Sequence, residues 1–306
     1  MEIQKSTLYI VGTPIGNLDD MTFRAVSVLK QVTVIAAEDT RHTGKLLKHF
    51  QITTPQISYH DHNRRRRIPE FLERMASGDS IALVTDAGMP GVSDPGYEVV
   101  KACRTKNLAV VPIPGASASI TALSASGINT DRFVFEGFLP VKGKERRDRL
   151  SALLPEPRTI ILYESPHRLR KTLQDLADGL GGDRIIVLAR ELTKLHEEFW
   201  QGTITDAIAH YDTYTPKGEF TLVITGATPS ISEWTEAQIT LELSDRLQHG
   251  ASRSQASRQL AQDTGWPRRT IYQLALTLPD PEPMDKPAVD HLPITNGASE
   301  STILKT

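Results

Sequence analysis

Thr7-Leu-Tyr-Ile-Val11 running into Gly12-Thr-Pro-Ile-Gly-Asn17 is the stretch on which the fold turns: a run of β-formers that breaks into a short loop of Gly, Pro and small polar residues. The same join recurs twice in the first 120 residues. Ile81-Ala-Leu-Val-Thr85 opens into Asp86-Ala-Gly-Met-Pro-Gly-Val-Ser-Asp-Pro-Gly96, and Ala109-Val-Val-Pro-Ile113 into Pro114-Gly-Ala-Ser-Ala-Ser119. In an open α/β sheet ligands bind beyond the carboxyl ends of the strands, where Gly admits close backbone approach and unpaired N–H groups meet a polar ligand. Three such loops point to one small ligand lying across them.

Outward from these loops, residues 7 to about 125 alternate short apolar strands (Leu8 to Val11, Val32 to Ala36, Gln56 to Tyr59, Ile81 to Thr85, Val110 to Ile113) with helical stretches near 20–30, 42–50, 65–77, 94–106 and 116–126. That alternation predicts a mostly parallel sheet covered on both faces. After Gly127-Ile-Asn-Thr-Asp131, a stretch with turn chemistry read as a hinge, come strand Arg132 to Glu136, a basic helix from about Lys144 and strand Thr159 to Tyr163. Helix 166–180, strand Ile185 to Ala189, a hairpin-like stretch through Phe199 and strand Phe220 to Ile224 complete a second α/β domain. Residues 239–277 read as three short helices broken at Gly250 and at Gly265-Trp-Pro267, a pattern like a helix-turn-helix, with Arg253, Arg258, Arg268 and Arg269 on it. The expected fold is α/β, with domains at 1–127 and 128–228, a helical module at 235–278 and a disordered tail at 279–306 rich in Pro, Asp, Ser and Asn.

Bulk composition fits a soluble protein: 306 residues, 39% hydrophobic and 24% charged. The single cysteine, Cys103, excludes an intramolecular disulfide and sits on the apolar face of a helical pattern as a buried thiol. The N-terminus lacks a signal peptide's apolar core, and no apolar run approaches the roughly 20 residues that span a bilayer, so a cytoplasmic protein without a membrane partner is expected. No Cys/His cluster has metal-ligand spacing. Net charge is 35 minus 37, or −2, which argues against nonspecific nucleic-acid binding. The distribution is less even: Arg64-Arg-Arg-Arg67 and Lys142-Gly-Lys-Glu-Arg-Arg-Asp-Arg149 are basic blocks, read either as solvated faces or as contacts to a phosphate-rich partner.

The first loop has only Gly12 and Gly16, so it is neither G-x-G-x-x-G nor a Walker A loop, and no lysine stands where a triphosphate needs one. Glu38 and Asp39, about 20 residues past it, keep open a dinucleotide fold with a ribose-binding acid, which Pro14 and the two further glycine loops fit poorly. Asp86 either pairs with a ligand's ammonium or hydroxyls or caps the following turn.

Seven segments in order, Gly12-Thr-Pro-Ile-Gly-Asn-Leu18, Ala37-Glu-Asp-Thr-Arg41, Ser58-Tyr-His-Asp-His-Asn63, Thr85 to Gly96, Pro112-Ile-Pro-Gly-Ala-Ser117, Phe135-Glu-Gly-Phe138 and Tyr163-Glu-Ser-Pro-His-Arg168, carry a family likeness. Over roughly residues 5–226 the chain resembles the bacterial small-subunit ribosomal RNA methyltransferase I family, cytidine 2′-O-methyltransferases of the tetrapyrrole methylase superfamily. The resemblance implies two α/β domains, S-adenosylmethionine in the cleft between them, and a homodimer. By motif it implies that Thr13, Pro14, Asp86, Ala87, Gly88, Ser117 and Ala118 line the cofactor, with Tyr163, Glu164, Leu192 and Phe220 closing over it. The partner it implies is small-subunit ribosomal RNA or the 30S particle. Arg41, Arg64, Arg65, Lys142, Lys144, Arg146, Arg147 and Arg168 are then candidate RNA contacts, since a guanidinium stays protonated.

Methyl transfer to a ribose hydroxyl is an in-line displacement in which alignment supplies much of the rate and a base takes the hydroxyl proton. Glu38, Asp39, His60 and His62 are candidate bases at carboxyl ends of strands, with Asp39 and His60 preferred. Two alternatives stay open: methylation of a tetrapyrrole in the same fold, and a cofactor-sensing regulator that binds nucleic acid through the C-terminal module. A dinucleotide-dependent oxidoreductase is a more distant reading, and a hydrolase lacks its G-x-S-x-G elbow.

Overall fold

The structure is a computed structural model and describes residues 2–227 and 234–279; the tail read over 279–306 lies, but for Pro279, outside the described residues. The chain separates into two compact bodies, with the division falling near residue 229.

The first body holds two five-stranded sheets. In chain order its first half runs β1 (Thr7–Val11), α1 (Phe23–Gln31), β2 (Val34–Ala37), α2 (Thr40–His49), β3 (Gln56–Ser58), α3 (Arg64–Ala76), β4 (Ile81–Val84), α4 (Tyr97–Thr105), β5 (Ala109–Ile113) and α5 (Ala118–Ala125). The sheet order is β3-β2-β4-β1-β5, and every pairing is parallel. The central strands are buried along their whole length because helices cover both faces. Tyr9, Val11, Ile35, Ala37, Ala82 and Val84 pack with residues of α1 and α2, and the alternate residues Leu8, Ile10, Val34, Ala36, Ile81 and Leu83 with residues of α3 and α4. Cys103 lies fully buried in the second of these clusters, and burial pushes its thiol up to about 11.

The second half contains β6 (Phe133–Phe138), α6 (Gly143–Leu153), β7 (Thr159–Glu164), α7 (Pro166–Leu180), β8 (Ile185–Arg190), β9 (Glu198–Thr203), α8 (Ile204–Thr213) and β10 (Phe220–Ile224). Its sheet order is β6-β7-β10-β8-β9; only β6 and β7 are parallel. One face packs Ile160, Leu162, Ile186, Leu188, Leu222 and Ile224 with residues of α6, α7 and α8. The other face packs Ile161, Val187 and Val223 with Ala122 and Leu123 of α5.

Three features differ from the sequence reading. The second strand begins at Val34, because Val32 closes α1 by donating its N–H to Val28 O and Thr33 binds the Ser80 side chain. Helix α8 was not anticipated, although Thr203 and Asp206 form a capping box at its start. The expected hinge at 127–131 is pinned: Ile128 is buried with α5 against the second sheet, and Asn129 O accepts Thr159 Oγ1–H at 2.6 Å.

The first body is held at its loops by a backbone crossing. A Cβ on Gly12 would sit 2.7 Å from Gly115 Cα and 2.6 Å from Met89 Sδ, and one on Gly115 would sit 2.7 Å from Gly12 Cα. Gly12 N–H donates to Ile113 O at 3.1 Å, and Thr13 and Gly88 exchange both backbone hydrogen bonds at 2.9 and 3.1 Å. At the sheet edge, β5 carries Pro112, whose carbonyl accepts Arg24 Nη2–H at 2.8 Å, and Pro114 follows it.

The second body contains α9 (Glu236–Gln248), α10 (Arg253–Thr264) and α11 (Arg268–Thr277) around Ile239, Leu243, Leu247, Ala256, Leu260, Ile271 and Ala275. Thr235 with Gln238 and Ser252 with Gln255 box the first two helices, and Gly265 ends α10 in the left-handed region at φ 72°. Arg253 donates to Ala275 O and Leu278 O, so it ties α10 to the end of α11. Among the described residues no helix is long and apolar enough to cross a membrane.

Gly12→Ala is expected to cost about 3 kcal/mol, since the added methyl meets backbone that cannot move without displacing the other loop. Denaturant unfolding compared with Gly44→Ala, where the nearest atom stands 3.7 Å from the added carbon, checks this; equal losses would contradict the crossing argument.

Candidate active site

The glycine loops after β1, β4 and β5 converge on a cavity of about 430 Å³, within the range of small-ligand sites. From the first sheet come Ile15, Glu38, the run Asp86 to Met89, Asp94, Ser117 and Ala118; from the second come Phe138, Tyr163, Glu164, Leu192 and Phe220. Asp86, Ala87, Gly88, Ser117, Ala118, Tyr163, Glu164, Leu192 and Phe220, scattered across 135 positions of sequence (220 minus 86, plus 1), are thus brought to one wall or another. Thr13 and Pro14 are absent from the walls. Thr13 is buried behind them, its Oγ1–H donating to Thr85 O at 3.1 Å, and Ile15 takes the lining position instead.

The halves meet directly. Ser119 N–H donates to Tyr163 Oη at 3.1 Å, and the Tyr163 ring lies edge-on to Phe135 and Phe138 at centroid distances of 4.9 and 5.7 Å. Asn17 N–H donates to Thr193 Oγ1 at 3.0 Å, where Glu191 and Thr193 both hold positive φ (50° and 65°). Lys194, also on the wall, binds Glu191 at 2.8 Å and Glu219 at 2.9 Å, so its charge is matched inside the rim.

Among the described residues five acidic side chains line the cavity: Glu38, Asp86 and Asp94 from the first half, Glu164 and Glu219 from the second. Asp86 N–H donates to Glu38 Oε2 at 3.3 Å while Asp39 N–H donates to Asp86 Oδ1 at 3.2 Å, an exchange that locks the end of β2 to the end of β4. Burial raises the Glu38 carboxyl above its ordinary value, and the Asp86 charge adds to this. Burial, then the charges of Glu38 and Asp86, push Asp94 up to about 7. Such a site favours a ligand that brings a positive charge among these groups.

Asp39 and His60, the preferred bases, do not line the cavity. Asp39 caps α2 by accepting Arg41 N–H at 2.8 Å, and its hydrogen bonds from the Arg41 side chain at 2.9 and 3.2 Å hold its carboxyl down at about 2, which makes it a poor proton acceptor. His60 Nε2 meets Asn63 Nδ2 at 3.2 Å, its buried Nδ1 has no hydrogen-bond partner among the described residues, and its ring neighbour is the exposed His62. Glu38, next to Asp39, is the carboxylate that reaches the wall. Asp94 was not singled out in the sequence; its position in Ser93-Asp-Pro-Gly96 reads as a turn.

Among the basic candidates, Lys142, Lys144, Arg147, Arg41 and Arg65 are exposed, whereas Arg64 is engaged by Glu98 at 2.6 Å and Asp61 at 3.0 Å. Arg146 is 4% exposed, ion-paired with Asp175 at 2.6 Å, and as folded cannot touch an external partner; the basic count of its segment concealed an inward-facing residue. Arg168 likewise turns inward, onto Leu139 O and Glu164.

The family model for Tetrapyrrole (Corrin/Porphyrin) Methylases matches residues 7–208. The chain is 60% identical over 272 residues to a Synechocystis sp. protein named ribosomal RNA small subunit methyltransferase I, covering 89% of this chain and 98% of that one. It is 46% identical to the protein of the same name from Halalkalibacterium halodurans, covering 88% and 94%. Solved structures with the same fold include a uroporphyrin-III-C-methyltransferase from Thermus thermophilus (20% identity, TM-score 0.53, covering 72% of this chain and 94% of that one) and a cobalt precorrin-4 methyltransferase (18%, 0.55, covering 72% and 95%).

A carboxyl kept neutral in the fold but ionised in the unfolded chain weakens folding as pH climbs from the ordinary Asp range, and the cost is complete above the raised value near 7. Asp94→Asn is therefore expected to stabilise the ligand-free protein by about 2 kcal/mol at roughly pH 8, after allowance for solvent near the carboxyl, and by almost nothing at roughly pH 4. Thermal unfolding at the two pH values measures the difference; an effect of the same size at both would refute the ionisation argument.

Proposed function

The chain belongs to the tetrapyrrole methylase family and, within it, to the ribosomal RNA small subunit methyltransferase I group, and from that premise we propose that it methylates the 2′-hydroxyl of a cytidine ribose in small-subunit ribosomal RNA, using S-adenosylmethionine. The observation that carries this reading is the 60% identity to the Synechocystis sp. relative across 98% of that protein, an alignment of 272 residues that exceeds the family model's own span.

The cavity residues suit this cofactor. Asp86 and Asp94 offer negative charge to a sulfonium and an ammonium, and Gly88, Ser117, Ala118, Leu192 and Phe220 leave backbone groups and apolar surface for an adenosine. When bound, S-adenosylmethionine supplies an electrophilic methyl group on a good leaving group. The protein then has to hold the ribose hydroxyl in line, exclude competing water and take one proton. Glu38 is the group we assign to the proton: it lines the cavity, its carboxyl is raised by burial, and its Oε2 is fixed by Asp86 N–H. Thr13 supports the wall from behind, through the Thr13–Gly88 bridge.

Exposed cations on α6 (Lys144, Arg147), at its N-cap (Lys142), on α3 (Arg65) and on α2 (Arg41) suit RNA phosphates. A homodimer acting in the cytoplasm on ribosomal RNA or the 30S particle completes the reading.

The test is calorimetric titration with S-adenosylmethionine and, separately, NAD, followed by transfer of a labelled methyl group to small ribosomal subunits from a strain lacking the protein. Label recovered as 2′-O-methylcytidine is the expected result; cofactor binding without label in RNA would turn the reading toward a tetrapyrrole substrate or a regulator. Glu38→Gln is expected to lower the transfer rate about 10²-fold while cofactor affinity stays within roughly threefold. A rate within a few-fold of the unsubstituted protein would remove Glu38 from the proton-transfer role.

A further inference from the structure

The segment from Phe138 to Lys142 joins the cavity wall to the helix bearing the exposed cations, since Phe138 lines the cavity and Lys142 is the N-cap of α6. Two guanidinium groups hold its backbone. Arg168 Nη2–H donates to Leu139 O at 2.5 Å, and Arg146 Nη1–H donates to Pro140 O at 2.9 Å. Both lead to the same carboxylate. Arg168 Nε lies 3.4 Å from Glu164 Oε1, while Arg146 Nη2–H donates to Thr172 Oγ1 at 3.0 Å, whose own O–H donates to Glu164 Oε2 at 2.5 Å. Asp175 Oδ2 accepts Arg146 Nε–H at 2.6 Å, and Ser165 N–H donates to Glu164 Oε1 at 2.8 Å.

Glu164, Thr172 and Arg146 are 2%, 1% and 4% exposed, yet Glu164 still contributes to the cavity wall. A buried guanidinium–carboxylate network is a costly way to join two helices, because packed apolar side chains of similar volume would do it with less desolvation. What it adds is stiffness and a specific geometry, since a fully satisfied polar network rigidifies the segments that it joins. Here one end is the cavity wall and the other is the first turn of α6, four residues from Lys142 to Arg146.

We infer that Arg146 and Thr172 are positioning residues that couple occupancy of the cavity at Glu164 to the ordering of the 139–147 segment, and through it to the placement of Lys142, Lys144 and Arg147. The cavity as a cofactor site and α6 as an RNA contact are taken from the proposed function; the coupling itself concerns only this chain's network. By linkage, a cofactor that orders the segment raises affinity for an anionic partner there, and the partner raises affinity for the cofactor by the same factor.

Amide hydrogen exchange on the full chain, with and without S-adenosylmethionine, tests this without an activity readout. In the unsubstituted protein the cofactor should slow exchange at 139–147 by roughly threefold or more, together with the loop at 86–94. In Thr172→Val, which keeps shape but breaks the link to Glu164, and in Arg146→Lys, which keeps the charge but loses the fork, protection should persist at 86–94 and fall at least roughly twofold at 139–147, where the Arg168 link alone remains. Undiminished protection at 139–147 in both variants, or its absence in the unsubstituted protein while 86–94 is protected, overturns the coupling. No protection at 86–94 in the unsubstituted protein overturns the cofactor reading and the coupling with it, whereas failure to methylate RNA leaves the exchange result standing and removes only the substrate.

Discussion

The close passage of the Gly12 backbone against Gly115 sets how the first body is built, because β1 lies between β4 and β5 and the loops leaving all three strands share that contact. With no Cβ on either residue, the first and third loops touch main chain to main chain, and the Thr13–Gly88 bridge adds the second loop to the same unit. The cavity wall therefore rests on backbone that no rotamer change can rearrange. This leaves the side chains of the loops free to be small, and it places the few ionisable ones, Glu38, Asp86 and Asp94, at fixed positions where their mutual repulsion cannot relax by moving apart.

That repulsion is a store of affinity for a cation. In the ligand-free protein burial keeps Asp94 near the middle of its titration at neutral pH, and a positive charge placed among the three acids would favour its ionised form. The rim works the other way: Lys194 spends its charge on Glu191 and Glu219, so it offers the cavity little positive potential. The net charge of −2 thus hides a division of labour, with acids drawn inward on the loops and uncommitted cations on the outer turns of α3 and α6.

Strands and helices of the first half of the first body were legible because β1, β2 and β4, buried on both faces, read as unbroken apolar runs, and the loops that end β1, β4 and β5 carry Gly and Pro at their turns. Helix α8 escaped because its capping signal, Thr203 to Asp206, follows directly on a strand, and the stretch between Phe199 and Phe220 carried no assignment. The packing beside 127–131 is something local chemistry does not express: α5, which follows the last strand of the first sheet, buries Ala122 and Leu123 on the second. For the site, residue type was readable and direction was not. Glu38 and Asp39 are adjacent acids at one strand end, and which of them faces the cavity depends on the Arg41 guanidinium that claims Asp39. Likewise the basic run 142–149 counts five cations, but helical geometry turns Arg146 toward Asp175 and leaves Lys144 and Arg147 outside.

The outer edge of β5 has one further consequence. Pro112 and Pro114 fall on the same alternation of the strand, so at both positions the backbone has no N–H to give, and the Pro112 carbonyl is already taken by Arg24. A parallel sheet that ends in an open strand ordinarily invites another chain to continue its ladder. Here the invitation is withdrawn by two imino acids and one guanidinium, so a second molecule that docks along this side must do so through side chains, and runaway strand addition has no template at this edge.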